Sequence, residues 1–173
     1  MITLEQLEAI VPKASPGRLA TFVGPLNVTI AEFGIQNVAA FLAQTAHESG
    51  GFLYLREIWG PTPVQARYEG RADLGNTQPG DGSRFRGRGL IQITGRANYT
   101  DCAHALNLPL LEQPELLEHP EDACRSAGWF WMTRGCDRIE DYEKLTRRIN
   151  GGTNGLADRY AYLGRAKAAL TVA

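Results

Sequence analysis

Cysteine is scarce in this chain, and the little there is does not pair by spacing. Cys102, Cys124 and Cys136 are odd in number and form no C-x-x-C pair, which argues against a disulfide framework and fits reduced thiols in a cytosolic product. His104 and His119 stand isolated, no His/Cys cluster has metal-ligand spacing, and neither a metal nor another cofactor is expected. The start, Met1-Ile2-Thr3-Leu4-Glu5, has neither the basic nor the apolar region of a secretory signal, and no apolar run reaches membrane-spanning length. Stable membrane association is therefore not expected, and any action outside the cytoplasm needs another route of release. A net charge of −1 argues against a mainly electrostatic role on nucleic acid or a membrane surface.

Several catalytic motifs are begun and not completed. His47-Glu48 opens like H-E-x-x-H, but the second histidine position holds Gly51. Ser49 lacks the glycine pattern of a nucleophile elbow, because position 47 is His. Arg86-Gly87-Arg88-Gly89 contains Gly-x-Gly without G-x-G-x-x-G or Gly-Lys-Ser/Thr, so a phosphate loop is not supported. Arginines interleaved with Phe85 would suit RNA, yet the overall charge gives that little support.

What is present reads as helix. The 173 residues, 43% hydrophobic and 21% charged, suit one globular domain with one good core, and no repeat or linker divides them. Thr3-Leu4-Glu5-Gln6 spells a capping box for a short helix that stops before Pro12. Ser15-Pro16 opens the next, which Gly24-Pro25 is expected to close. Thr29-Ile30-Ala31-Glu32 spells another capping box for a short segment ending at Gly34. A helix from about residue 36 carries Glu48 and stops at Gly50-Gly51. From Ile58 to Phe85 the periodicity fails among prolines and glycines, a length of loop that is often functional. The turn at 76–82 suggests a small hairpin or sheet there. Helices return from Asn98 to Leu106 and from Glu121 to Thr133. Ile139, Tyr142, Leu145 and Ile149 mark another, capped at Gly151, and Leu156 to Leu170 forms the last. Trp129, Phe130 and Trp131 are expected in the core, since aromatics bury large areas.

The stretch from Gln44 to Phe52 organises the rest. Phe41, Gln44/Thr45 and Glu48 share a helix face that also carries Val38 and Leu42. Glu48 thus leaves the last turn at the edge of an apolar core, where desolvation and the helix C-terminus both favour a neutral carboxyl, as suits a general acid. A Glu at a frayed helix end, pointing into water, is the alternative. Glu57 follows nine residues later. Gln92 and Thr94 alternate onto one side of an extended segment, where two polar side chains can hold a water or a sugar hydroxyl; a buried strand with a polar edge fits the same pattern. Two carboxylates near a polar, glycine-rich segment are the minimum equipment for glycoside hydrolysis.

Together these motifs resemble one family. Ala46-His47-Glu48-Ser49-Gly50-Gly51, the run from Phe85 to Thr94, Asn98-Tyr99 and Ile149-Asn150-Gly151-Gly152 are similar, in order and across roughly residues 35 to 160, to the family 19 glycoside hydrolases. That family includes chitinases and phage endolysins. The resemblance implies a mainly α, lysozyme-like α+β fold: two helical lobes around a substrate cleft, with a small irregular or hairpin segment. It implies a single catalytic domain over residues 1–173 with no separate wall-binding module, working by inversion. Glu48 then corresponds to the general acid, Glu57 to the base, and Thr94 to the hydroxyl that holds the attacking water. His47, Gln92, Asn98, Tyr99, Asn150 and Arg159 correspond to residues at the sugar cleft.

Inversion needs the two carboxyls about 6.5–9.5 Å apart, whereas nine residues of unbroken helix would separate them by about 13.5 Å. The Gly50-Gly51 break is what lets the chain turn back. The chain departs from the plant chitinases, which have a longer segment between acid and base, extra disulfides, and an acid where this chain has Thr153-Asn154. Glu69 is a rival base. The compact spacing looks like the phage or prophage endolysin branch. That branch implies a monomer held in the cytoplasm of a bacterial host and released to the periplasmic wall by a holin-type lesion. The substrate expected is the peptidoglycan glycan strand, cut in the N-acetylmuramidase manner; chitin oligomers are the alternative substrate, and a non-catalytic glycan-binding domain the alternative function.

Overall fold

The computed structural model describes residues 1–171 and is mainly helical. In chain order the helices are α1 (Leu4–Ile10), α2 (Pro16–Phe33), α3 (Val38–Glu48), α4 (Pro63–Ala66), α5 (Asp81–Arg84), α6 (Arg96–Leu106), α7 (Pro120–Thr133), α8 (Tyr142–Asn150) and α9 (Leu156–Thr171). Single 3-10 turns lie at Ala72–Leu74, Pro114–Glu118 and Cys136–Arg138. No helix among these residues is long and apolar enough to cross a membrane.

The first helix starts as its spelling predicts. Thr3 Oγ1 accepts the Gln6 N–H at 3.2 Å, and Gln6 Oε1 accepts the Thr3 N–H at 2.9 Å. Pro16 opens α2, although the Ser15 side chain makes no cap bond. The expected break at Gly24-Pro25 does not occur, and α2 runs on to Phe33. Leu19, Phe22, Leu26 and Thr29 are all buried on one stripe of that helix, and burial at about 1.5–3 kcal/mol per large apolar side chain outweighs the roughly 3 kcal/mol that an interior proline costs. The capping box read at Thr29 is corrected for the same reason. Its backbone lies inside the continuous helix, and its hydroxyl is buried without a partner. Gly34 does end the helix, in the left-handed conformation (φ 61°).

Helix α3 is enclosed rather than amphipathic: every residue from Ala40 to Ala46 is buried, so it forms the axis of the larger lobe. It shares one hydrophobic core with α1, α2, α7, α8 and α9, and packs most closely against α9. Between α2 and α7 the approach is close, since a Cβ on Gly128 would lie 2.6 Å from side-chain carbons of Thr29 and Phe33. A second, smaller core gathers Phe85, Ile93, Tyr99, Cys102, Leu106, Leu110 and Leu117 around α6, and Phe33 and Phe130 pack against both clusters. Trp131 is fully buried, while Trp129 and Phe130 are half-buried. All three cysteines are free and buried. Burial pushes the thiols up, to about 12 for Cys102 and about 11 for Cys136.

The segment from 58 to 85 forms no hairpin. Among the described residues, β pairing consists of two isolated antiparallel bridges, Arg56 with Arg88 and Arg88 with Ile93. The first joins the two ends of the long loop and the second closes the short turn from Arg88 to Ile93; neither lines the turn at 76–82. The loop is held by side chains in place of a ladder. The Asn76 amide donates to the Tyr68 carbonyl (2.8 Å) and accepts the Arg96 N–H (2.8 Å). Buried Asp81 accepts the Gln78 N–H (3.0 Å) and both Nε and Nη2 of Arg96 (2.8 and 2.6 Å).

The Arg96 guanidinium holds the Asp81 carboxyl below the usual carboxylate range, against burial, which pushes it up. A carboxyl depressed in the folded state stabilises fully above its unfolded value, near pH 4, and loses that contribution as pH falls through the folded value. Asp81→Asn is therefore expected to lower the melting temperature at neutral pH. The gap from wild type should narrow as the pH drops below about 4. Melting curves of both proteins between acid and neutral pH check this; a gap that stays constant with pH would remove Asp81 from the account.

Candidate active site

Glu48 ends α3, and the chain reverses at once. Ser49 Oγ donates to the Thr45 carbonyl at 2.6 Å and accepts the Phe52 N–H at 2.9 Å. Gly50, Gly51 and Phe52 all take left-handed backbone (φ 58°, 72° and 62°). For a phenylalanine that conformation costs on the order of 1–3 kcal/mol, and burial against Phe22, with ring centroids 5.1 Å apart, opposes it. The turn is also covered from outside, because a Cβ on Gly50 would lie 2.8 Å from the Tyr54 ring.

The side chain of Glu48 meets a partner rather than an apolar wall alone. Arg159, only 1% exposed, donates from Nη2 to Glu48, from Nη1 to the Gln44 Oε1, and from Nε to the Asn154 carbonyl (3.1 Å). The Gln44 amide donates to Thr146 Oγ1 at 3.0 Å, Thr146 donates to the Tyr142 carbonyl at 2.9 Å, and the Tyr142 hydroxyl donates to the Arg159 carbonyl at 3.1 Å. Burial pushes the Tyr142 phenol up, which keeps it a donor. Next in sequence, His47 Nδ1 lies 2.6 Å from Asp158, and its ring packs on Gly155. Two consecutive residues of α3 thus pair with two consecutive residues of α9.

Glu57 is held by a separate set of donors. Its carboxylate accepts the Gly87 N–H (3.1 Å), the Gln65 amide (2.9 Å) and, more weakly, the Tyr68 hydroxyl (3.4 Å). The Glu57 N–H in turn donates to the Gly87 carbonyl at 2.8 Å. Burial, and then the charge of Glu57, push the Tyr68 phenol up and keep it protonated. Gln65 is itself fixed, accepting the Thr62 N–H (2.8 Å) and donating to the Ile58 carbonyl (2.7 Å). On the other side of Gly87, a Cβ would lie 2.6 Å from Gln92 Oε1 and 3.3 Å from Thr94 Oγ1. Gln92 and Thr94 therefore do meet at one place, though not by extended alternation: Gln92 has φ 56°, and Thr94 Oγ1 donates back to the Gln92 carbonyl at 2.8 Å. Asn98 donates to the Thr94 carbonyl at 2.7 Å.

A cleft of about 540 Å³ opens beside Glu57, lined by Tyr54, Arg56, Glu57, Trp59, Arg86 and Glu118 among others. Tyr54 touches both this cleft and the turn that follows Glu48. A sequence profile described as chitinase class I, glycoside hydrolase family 19, matches residues 20–159. The chain belongs to glycoside hydrolase family 19. It is 34% identical over 148 residues to a Haemophilus influenzae family 19 domain-containing protein, covering 70% of this chain and 74% of that one. It is 39% identical over 119 residues to an Arabidopsis thaliana endochitinase, covering 68% of this chain but only 40% of the plant protein. Chitinase C from Streptomyces griseus superposes with a TM-score of 0.73 at 22% identity, over 98% of this chain and 76% of that one, which establishes the shared lysozyme-like fold.

Within this family 19 chain, the residues singled out from sequence fall into two groups. Glu57, Gln92 and Thr94 gather around Gly87, with Asn98 bonded to the Thr94 carbonyl; Glu48, His47 and Arg159 gather where α3 meets α9. Asn150 stands exposed at the end of α8, before Gly151. Two residues expected at the sugar cleft are enclosed by protein. Tyr99 is fully buried, its hydroxyl donating to the Arg86 carbonyl (2.8 Å) and accepting from Arg88 (3.0 Å). Arg159 is likewise enclosed, its guanidinium bonded to Glu48 and Gln44. Glu69 is occupied in holding the loop, because its carboxylate accepts the N–H groups of Gly80 (2.6 Å) and Gly82 (2.9 Å) at the start of α5.

Other residues of the site were not singled out. Gln44 lies four residues before Glu48 on the same face, a spacing that pointed to it. Gln65 completes a capping box with Thr62, spelled Thr62-Pro63-Val64-Gln65. Asp158, Tyr68 and Glu118 carried no local signal. Among the described residues no group of three or more His, Cys, Asp or Glu is placed to hold a metal ion.

Proposed function

We propose that this family 19 chain is an inverting glycosidase of the endolysin branch that cuts β-1,4 bonds in the peptidoglycan glycan strand, in the N-acetylmuramidase manner. Glu48 protonates the glycosidic oxygen, Glu57 takes a proton from the attacking water, and Thr94 helps hold that water. The sugar leaves with inverted configuration, and the two carboxyls exchange their proton states through solvent. The setting of Glu57 carries this reading. A carboxylate oriented by a backbone N–H and an amide, at the wall of an open cleft, with the Thr94 hydroxyl on the other side of Gly87, is equipped to orient a water, whereas sugar binding alone needs no such acid pair.

Chitin shares the N-acetylated β-1,4 backbone, and the Arabidopsis relative is named an endochitinase; this is the second reading. One arginine of the lining beside Glu57, Arg86, has no carboxylate partner among the described residues, which favours the anionic strand over neutral chitin. In this proposal the protein is made in the cytoplasm of a bacterial host and acts as a monomer on the periplasmic wall after membrane permeabilisation.

Digestion of purified Gram-negative peptidoglycan and of a chitin hexamer, with products weighed by mass spectrometry, tests the reading. Soluble muropeptides with new reducing ends at muramic acid are expected. Products one water lighter would make the enzyme a lytic transglycosylase, cleavage of chitin alone would make it a chitinase, and binding without cleavage would leave a glycan-binding domain.

A further inference from the structure

Two arginines and two carboxylates line the cleft beside Glu57, and one of the arginines has no carboxylate partner among the described residues. Arg56 and Arg86 line it, and buried Arg88 stands behind. The two carboxylates nearby are already committed. Glu118 accepts from Arg88 Nε at 2.7 Å and lies 3.5 Å from Arg56, while Glu57 accepts from Gly87, Gln65 and Tyr68. Arg86 is differently placed. Its Nε donates to the Ser83 carbonyl at 2.7 Å, and its guanidinium sits 5.0 Å from the centre of the Trp59 ring. Among the described residues it has no carboxylate partner, and its Nη donors make no hydrogen bond. Burial, then the charges of Arg88 and Arg56, lower its pKa. An anion entering the cleft relieves that repulsion.

We propose that Arg86, with Arg56 beside it, forms an anion subsite that receives a carboxylate attached through the lactyl ether of muramic acid. Chitin offers only hydroxyls and acetamides, which gain little from a guanidinium. A carboxylate instead forms paired, charge-assisted hydrogen bonds with the planar fork, which Ser83 and Trp59 already hold in place. The subsite makes Arg86 a determinant of specificity for the anionic strand, and it rests on the reading of this chain as a peptidoglycan glycosidase. The carboxylate can come from either of two sources, the free lactyl group or the stem peptide joined to it.

The test compares wild type with Arg86→Gln on four substrates. These are peptide-bearing glycan strands, strands stripped of peptide by an amidase, strands whose carboxylates are converted to amides, and a chitin hexamer. On carboxylate-bearing strands, Arg86→Gln is expected to raise KM about ten-fold more than on the amidated strands or on chitin. Raising salt towards 0.5 M should shrink the difference, since charges at an open cleft are screened. Arg86→Lys should recover part of the loss by restoring charge without the fork. A selective loss confined to peptide-bearing strands identifies the stem peptide as the source; one confined to the stripped strands identifies the free lactyl carboxylate, and a loss on both shows that the subsite takes either. Equal losses on charged and neutral substrates would overturn the subsite while leaving the glycosidase standing.

Should wild type cleave none of these substrates, calorimetry of Glu48→Gln against Glu48→Gln/Arg86→Gln with the same ligands still decides. A ten-fold, charge-selective loss of affinity would keep the subsite while the hydrolase reading fell. An unselective loss, or none, would remove the subsite as well.

Discussion

Glu48→Gln is expected to abolish turnover on whichever glycan the protein cuts, lowering kcat by about 10³-fold, within the 10²–10⁴ range of a positioned general acid. Glutamine keeps the shape of the side chain and has no proton to give. Its amide oxygen can still accept from Arg159, so the α3–α9 junction survives in outline and substrate binding should change little. The variant does leave a buried guanidinium without its counter-charge. A stability loss of about 1–3 kcal/mol is expected for that; it is smaller than for a fully buried pair because the Glu48 side chain is 19% exposed and partly hydrated. Steady-state kinetics with a melting curve separate the two effects. A folded Glu48→Gln protein with a tenth or more of wild-type kcat would take Glu48 out of the acid's role.

Arg159→Met is expected to damage stability and rate together. The guanidinium serves three acceptors at once, on Glu48, Gln44 and Asn154, from a position with 1% exposure. Methionine fills much of the volume and satisfies none of them. Leaving one half of a buried charged network unpaired costs about 2–4 kcal/mol. In a chain of this size that lowers the melting temperature by roughly 5–15 °C. The carboxyl of Glu48 would then no longer be aimed, and a misplaced acid loses on the order of 10²-fold in rate. This loss should fall on kcat far more than on KM, because Arg159 is enclosed and acts through Glu48. A purely structural arginine would predict the opposite pattern: fewer active molecules, each with normal kinetics. Arg159→Lys should rescue poorly, since one ammonium cannot reach all three acceptors. If Glu48→Gln and Arg159→Met destabilise additively in the double variant, the two residues are not coupled as the geometry implies.

Much of the helical layout was legible in the chain. Thr3 with Gln6, Pro16, Gly34 and Gly151 mark helix ends through local chemistry, and local chemistry is unchanged by the rest of the fold. Where the sequence misled, a distant partner had intervened. Gly24-Pro25 is a helix breaker in isolation, and α2 crosses it because its buried stripe packs on α1 and α7. The capping box at Thr29 fails for the same reason. The loop from 58 to 85 was correctly marked as irregular, yet its hairpin was not realised. Asn76, Asp81 and Arg96 satisfy its backbone and side chains across 15 to 20 residues of sequence, a pairing that no local pattern announces.

By itself the sequence determined the family, the mainly helical class, the reversal after Glu48 and the identity of the acids worth testing, because motif order and glycine placement are one-dimensional properties. Only the tertiary structure decided what surrounds those acids. It brought Arg159 of α9 to Glu48 of α3, set Gly87, Gln65 and Tyr68 around Glu57, turned Tyr99 inward and gave Glu69 to a helix start. The physical reason is common to all of these. A charged or hydrogen-bonding side chain takes its role from the partners and the burial it meets after folding, and those partners lie up to 115 residues away along the chain.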